Sequence, residues 1–215
     1  INDLDFLSYK STIHHNKLED SASSDMIAEM PLSYEGITGI VDLYDKKSKS
    51  LIDYKNTGSY KASKILGLQS RTESDPVEVY KRSGKWGVAG SPKKIKVFYR
   101  DPVTADFGDW GWQINFYRLM LQENGYPVDN MYVQMTIRDG GVHAAKSRGI
   151  YNNIYLVEVP YINDDILRKR FLDKKDALVH SLERKTVPEI CTPEETWDGR
   201  KCESYCPVRE VCPYR

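Results

Sequence analysis

The sequence lacks a net charge, a long apolar run, and any cysteine before residue 191. Its 31 Lys and Arg balance its 31 Asp and Glu, so a nucleic-acid partner cannot be argued from overall charge and needs a local patch. No run of about 18 apolar residues occurs, which argues against a membrane-spanning helix and leaves no membrane among the expected partners. No signal peptide and no internal repeat are legible. The chain opens on Ile1 rather than Met, and removal of an N-terminal piece is the expectation. The four cysteines, Cys191, Cys202, Cys206 and Cys212, crowd into the final segment. A disulfide framework would spread them through a small secreted chain. Crowding points to a metal or cluster site in a reducing, intracellular (cytoplasmic) setting.

What is present is a globular composition: 40% apolar, 29% charged, with 15 Tyr in 215 residues. That length suits one sizeable domain with a small appendage. Strand-like stretches run from Met26 to Ser59 as "IAEMPLS", "GITGIVDLYD" and "SLIDYKN", separated by Gly, Ser and Lys clusters. Residues 60–109 are less regular and turn-rich, apart from the alternating "KIKVFYR". "WGWQINFYRLMLQENGY" has helical spacing, with Gly125 as its stop. "NMYVQMTIRDGG" and "NNIYLVEVPYI" read as two more strands. A long amphipathic helix follows, N-capped by Asn163.

One hairpin stands out. "GIVDLYDKKSKSLIDYKNTG" (residues 39–58) places an aspartate in each of two strands. With the turn centred on "DKKSKS", Tyr44 pairs with Leu51 and Asp42 falls opposite Asp53. Lys55 shares a face with Asp53, while Ile52 and Tyr54 point the other way into a core. Directly opposed carboxylates about 5 Å apart repel. A divalent cation would compensate, since Mg²⁺ takes one or two carboxylates plus waters and phosphate oxygens. The plainer alternative is the solvent-exposed face of an ordinary hairpin, and a register slip of one residue would separate the two aspartates.

Order and company extend this reading. "HNKLE" (15–19), "AEMPL" (28–32), "GIVD" (39–42), "IDYK" (52–55) and "QINFY" (113–117) occur in the sequence of motifs that resembles the RecB-type nucleases of the PD-(D/E)XK superfamily. The resemblance implies an α/β restriction-endonuclease-like core, a mixed central sheet flanked by helices. It implies that Asp42 and Asp53 ligate Mg²⁺ or Mn²⁺ and that Lys55 is the catalytic lysine. The Tyr54 backbone carbonyl and His15, rather than His14, would complete the metal shell, with Glu29 just outside it. Gln113 and Tyr117, one helical turn apart, would position DNA or Lys55. The departure from the family is the gap of 57 residues between Lys55 and Gln113. It makes residues 60–109 an inserted β-rich segment, whose Lys81, Arg82, Lys85, Lys93, Lys94, Lys96 and Arg100 stand among Tyr80, Trp86, Phe98 and Tyr99. Basic residues interleaved with aromatics suit a single strand of nucleic acid, and a solvated hairpin is the equal alternative.

The tail "WDGRKCESYCPVREVC" resembles the C-terminal cluster of iron–sulfur nucleases, including CRISPR-associated exonucleases. The resemblance implies a [4Fe–4S] cluster on Cys191, Cys202, Cys206 and Cys212, with Zn²⁺ as the alternative. The family takes one cysteine from before the nuclease core and spaces a pair as Cys-x2-Cys; this chain has neither feature. The expected organisation is a nuclease domain over residues 1–190 and a cysteine-cluster tail over 191–215. The implied activity is a metal-dependent deoxyribonuclease, an exonuclease acting on single-stranded DNA or duplex ends in recombination, repair or phage DNA processing. Alternatives are a non-catalytic DNA-binding module of the same fold, or a subunit of CRISPR spacer acquisition. A partner subunit or homo-oligomer is compatible with each.

Overall fold

The computed structural model describes residues 24–214; His15 and the expected helix around it lie outside these. The chain forms two compact units, one up to Leu167 and one from Arg168.

The first unit begins with two antiparallel strands, β1 (Met26–Tyr34) and β2 (Ile37–Asp45). Glu35 and Gly36 between them both have positive φ, +50° and +76°, as a two-residue primed hairpin turn requires. Next come β3 (Ser50–Thr57) and a short helix, α1 (Ser59–Ile65). An antiparallel pair follows, β4 (Leu68–Val79) and β5 (Pro92–Arg100). The helix α2 (Gly108–Glu123) leads into β6 (Asn130–Ile137), α3 (His143–Lys146) and β7 (Ile154–Glu158). A long helix, α4 (Asp164–Arg184), starts at the end of this unit.

Five strands form one mixed sheet in the order β1-β2-β3-β6-β7, with β3 and β6 parallel and the other pairs antiparallel. Parallel neighbours need a long crossover, and the segment from α1 through α2 supplies it. β4 and β5 form a separate two-stranded ribbon inside that crossover. The β-rich segment expected within residues 60–109 is thus a ribbon over 68–100, preceded by a helix that was not anticipated. The α1 signal was present, with Ser59, Ala62 and Ile65 buried at helical spacing.

The core sits between the sheet and α2. Ile114, Phe116, Leu119, Met120 and Leu121 of the helix are buried, as are Leu51, Met131, Val133 and Met135 of the central strands. Each large side chain of this kind contributes about 1.5–3 kcal/mol on burial. Two buried polar residues on α2 are bonded. Asn115 Nδ2 donates to the carbonyls of Gly111 and Pro160, and its Oδ1 accepts from Ile162 N–H. Arg118 donates to Gln122 and Asp164 and lies over the Tyr161 ring. Gly125, with φ +85°, ends the helix as anticipated, and Asn163 accepts from Asp165 N–H at the start of α4.

In the second unit, α5 (Pro193–Thr196) and α6 (Arg200–Ser204) are single turns. Thr192 and Glu195 form a reciprocal capping box at α5, and Lys174 Nζ lies 2.5 Å from Glu195 Oε1. The Tyr214 hydroxyl donates to the Pro188 carbonyl at 3.0 Å, closing the tail on itself. No described helix is long and apolar enough to cross a membrane.

Candidate active site at a fork in the sheet

β2 pairs with β1 along nearly its whole length, from Met26↔Asp45 to Tyr34↔Ile37. With β3 it pairs only at Leu43↔Ile52, Tyr44↔Leu51 and Asp45↔Ser50. Tyr44↔Leu51 is the pairing read from the sequence, whereas the expected Asp42–Asp53 pair is not part of the ladder. Beyond Leu43 the two strands part, and Asp42 stands at the fork.

Asp42 occupies a gap in both ladders. The β1 register would pair it with Glu29, but that pair is missing, and Glu29 has a left-handed φ of +48°. Strand faces switch here. Gly39 faces α2, since a Cβ on it would meet Tyr117 and Met120. Tyr44, five residues on, faces the segment after α2: its hydroxyl donates to the Pro127 carbonyl, and its ring meets Tyr126 at 5.6 Å. Uninterrupted alternation would place residues five apart on opposite faces. Local interruptions of a ladder re-aim side chains in this way. The Asp42 carboxylate uses the opening: its Oδ2 accepts from Tyr54 N–H at 2.7 Å, taking a donor that a continued ladder would have used.

Asp53 is 1% exposed. β3 is a central strand, paired residue for residue with β6 from Ser50↔Asn130 to Thr57↔Ile137, and this face of it is covered. The hairpin is therefore no ordinary solvent-exposed pair, and the Asp53 face is as buried as the Tyr54 face. Lys55 Nζ stands 2.8 Å from Asp53 Oδ2 and donates to Gln113 Oε1 at 3.0 Å. Gln113 Nε2 in turn donates to the Tyr117 hydroxyl at 3.0 Å. One polar chain, Asp53–Lys55–Gln113–Tyr117, thus runs from the central strand to α2. Burial raises the Tyr117 pKa first; Asp53 and Asp42 add to the rise, while Gln113 and Lys55 oppose it. Its hydroxyl stays protonated at neutral pH.

Gly39 has a steric role. A Cβ there would lie 2.6 Å from Tyr117 Cε1, so the first residue of "GIVD" lets the Tyr117 ring pack on the strand. Trp110, in the first turn of α2, lies beside two lysines: Lys61 Nζ is 3.9 Å from its ring centre and Lys55 Nζ 5.8 Å. Burial lowers the Lys61 pKa, opposed by Asp109 and Asp106. Neither Lys61 nor Trp110 was singled out from sequence as a site residue.

The "RDGG" turn does more than reverse the chain. Asp139 accepts from both the N–H and the hydroxyl of Ser59, each at 2.6 Å, and Arg148 Nη1 donates to the same hydroxyl at 2.7 Å. This network anchors the start of α1 two residues beyond β3. No sequence signal links Ser59 to a partner eighty residues away.

In the second unit, Cys191, Cys202, Cys206 and Cys212 are unpaired as disulfides. All four line one pocket of about 890 Å³, together with apolar residues such as Ile190, Val208 and Val211. Among the described residues, no three His, Cys, Asp or Glu side chains converge tightly enough to hold a metal ion without adjustment. No family model matches the chain, and no curated protein matches it.

Proposed function

We propose that the chain is a metal-dependent deoxyribonuclease of the PD-(D/E)XK type, acting as an exonuclease on single-stranded DNA or duplex ends. The observation that carries the reading is the fork: Asp42 freed from both ladders, beside a buried Asp53 whose lysine is held by Gln113, itself bonded to Tyr117. A buried ion pair of this kind is weak evidence for stability, and it is well suited to chemistry on a charged substrate. The mixed sheet, with its carboxylate hairpin beside a parallel strand, supports a restriction-endonuclease-like core.

The donor set fits a hard divalent cation. Both carboxylates are oxygen donors on neighbouring strands, and the Tyr54 carbonyl lies on the same stretch of backbone. Asp42 and Asp53 would hold the ion. When bound, Mg²⁺ or Mn²⁺ supplies Lewis-acid stabilisation of phosphate charge and a more acidic water. Lys55, fixed between Asp53 and Gln113, places a positive charge where the phosphodiester gains negative charge. Tyr117 remains a neutral hydroxyl that orients Gln113, and Gln113 keeps the Lys55 ammonium from swinging to solvent.

In the tail, the four thiols line one largely apolar pocket. Their irregular spacing suits a [4Fe–4S] cluster better than the paired short Cys knuckles of structural zinc sites. Its role in this reading is structural, holding the tail's short helices together.

The test is degradation of 5′- and 3′-labelled single- and double-stranded DNA by anaerobically purified full chain. Products in Mg²⁺ or Mn²⁺ and none in EDTA support the reading, and the label released first gives the polarity. Intact DNA under every condition, from folded protein, overturns it.

A further inference from the structure

Charges that cancel over the chain do not cancel locally. From Val79 to Arg100 the sequence carries Lys81, Arg82, Lys85, Lys93, Lys94, Lys96 and Arg100 and not one Asp or Glu. This stretch is the tip and the returning strand of the β4–β5 ribbon. Lys93 is engaged by Glu78 at 2.6 Å. Among the described residues, no carboxylate pairs with the other six. The acids of β4 are occupied elsewhere: Glu73 by Arg71, and Asp75 by the N–H groups of Val77 and Glu78.

Strand register sorts the ribbon into two unlike faces. Ser74 lies opposite Lys94, Thr72 opposite Lys96, Ser70 opposite Phe98 and Leu68 opposite Arg100. Paired residues, and residues two apart, share a face. This face carries Lys94, Lys96 and Arg100 with three hydroxyls and no carboxylate. Glu73, Arg71, Ile95 and Val97 lie on the other. Lys and Arg beside Ser and Thr are the side chains that grip phosphate oxygens. At the tip, Lys85 and Trp86 sit between Gly84 and Gly87, which bond to each other, and Trp86 is 77% exposed. The exposed ring, with Lys85 Nζ 5.5 Å from its centre, offers a face on which a base can stack.

The ribbon's base fixes its relation to the fork. Phe98 packs against Gly149, whose φ is +79° and where a Cβ would lie 2.7 Å from the ring. The Asp101 N–H donates to the Gly67 carbonyl at 2.8 Å. In the chain the ribbon follows α1 and, after a single 3-10 turn at Pro102–Thr104, precedes α2, and Lys61 of α1 lies over the Trp110 ring of α2.

We propose that the Lys94–Lys96–Arg100 face and the Trp86 tip form an arm that binds the phosphate backbone and bases of single-stranded DNA. The assignment of DNA as the ligand rests on the nuclease reading; charge complementarity and the exposed ring carry the rest.

The test is binding of a fluorescently labelled oligo-dT strand to the full chain in EDTA, which prevents cleavage, across a salt series. Lys94→Glu/Lys96→Glu is compared with Lys46→Glu/Lys47→Glu, which makes the same charge change on the exposed β2–β3 turn. The ribbon pair should lower affinity at least tenfold and reduce the log–log salt slope by about 0.7 per lost contact. The turn pair should change affinity less than about twofold. Trp86→Ala should cost about tenfold. Lys94→Gln/Lys96→Gln, which keeps side-chain bulk, should show a smaller loss of the same kind and guards against misfolding. Equal effects of the ribbon and turn pairs, or none from either, overturn the arm. A duplex bound as tightly as the strand overturns its single-strand character. Ribbon-dependent binding by a protein that never cleaves DNA keeps the arm and removes the nuclease reading; cleavage with ribbon-independent binding does the reverse.

Discussion

The Tyr117 ring rests on the backbone of Gly39, so close that a methyl group at residue 39 would stand 2.6 Å from Cε1. This contact sets the height of α2 over β2, and with it the reach of Gln113 toward Lys55. Gly39→Ala should destabilise the protein by about 1–3 kcal/mol through overpacking and lower the proposed nuclease activity at the same time. Tyr117→Leu in the same chain should recover most of the stability but not the activity. Denaturant melts of the two single variants and the double variant check this coupling.

In the proposed site Asp53 is a desolvated carboxylate held mainly for chemistry. Asp53→Asn, which keeps the shape and removes the charge, should leave the fold as stable as the wild type or up to about 1 kcal/mol more stable. Lys55→Ala should go the other way and cost about 3 kcal/mol or more, because it strands a buried negative charge. Thermal melts at neutral pH distinguish the two directions.

Asp139 holds the start of α1, directly after the site strand. The Ser59 hydroxyl, aided by the Ser59 N–H, keeps its carboxyl below the ordinary value of 3.8, against a smaller opposing effect of burial. A depressed folded pKa gives stability that is fully present above the unfolded value and is lost as pH falls through the folded one. Wild-type stability should therefore include this contribution at neutral pH and shed it below about pH 4. Asp139→Asn should be less stable by about 1 kcal/mol at pH 7, as for a lost helix cap, and should decline less steeply in that acid range. Melting temperature against pH for both proteins reads this out.

Much of the sheet was legible from local pattern. The three N-terminal strands, the Tyr44↔Leu51 register, the Gly125 stop and the Asn163 cap all follow from alternation and turn chemistry within a few residues. What escaped depends on distant partners. Pairing with β6, some eighty residues on, makes β3 a central strand and buries Asp53; from the hairpin alone, that face looked open. The interruption at Asp42 needs the positive φ of Glu29 in the neighbouring strand, which no residue type announces. Gly39 was visible as the first residue of a motif, but its reason is a tyrosine in another element. α1 hid in a stretch whose Gly, Ser and Lys content read as turn.

Four thiols around one apolar pocket predict a cluster-dependent tail. Anaerobically purified protein should contain iron and sulfide and absorb visible light, and Cys202→Ser should lose both. Loss of the cluster should speed amide exchange across residues 187–214 while leaving β3 and β6 protected. Zinc in place of iron, with the same protection pattern, would assign the site to a single metal ion.

The most direct test of the central claim compares wild type, Asp53→Asn and Lys55→Ala in one assay of labelled DNA with Mn²⁺, each protein first shown to be folded. Wild type should cleave, and both variants should lose about 10²-fold or more of that activity. Cleavage by Asp53→Asn at the wild-type rate would contradict the claim, and would place the chemistry somewhere other than the fork.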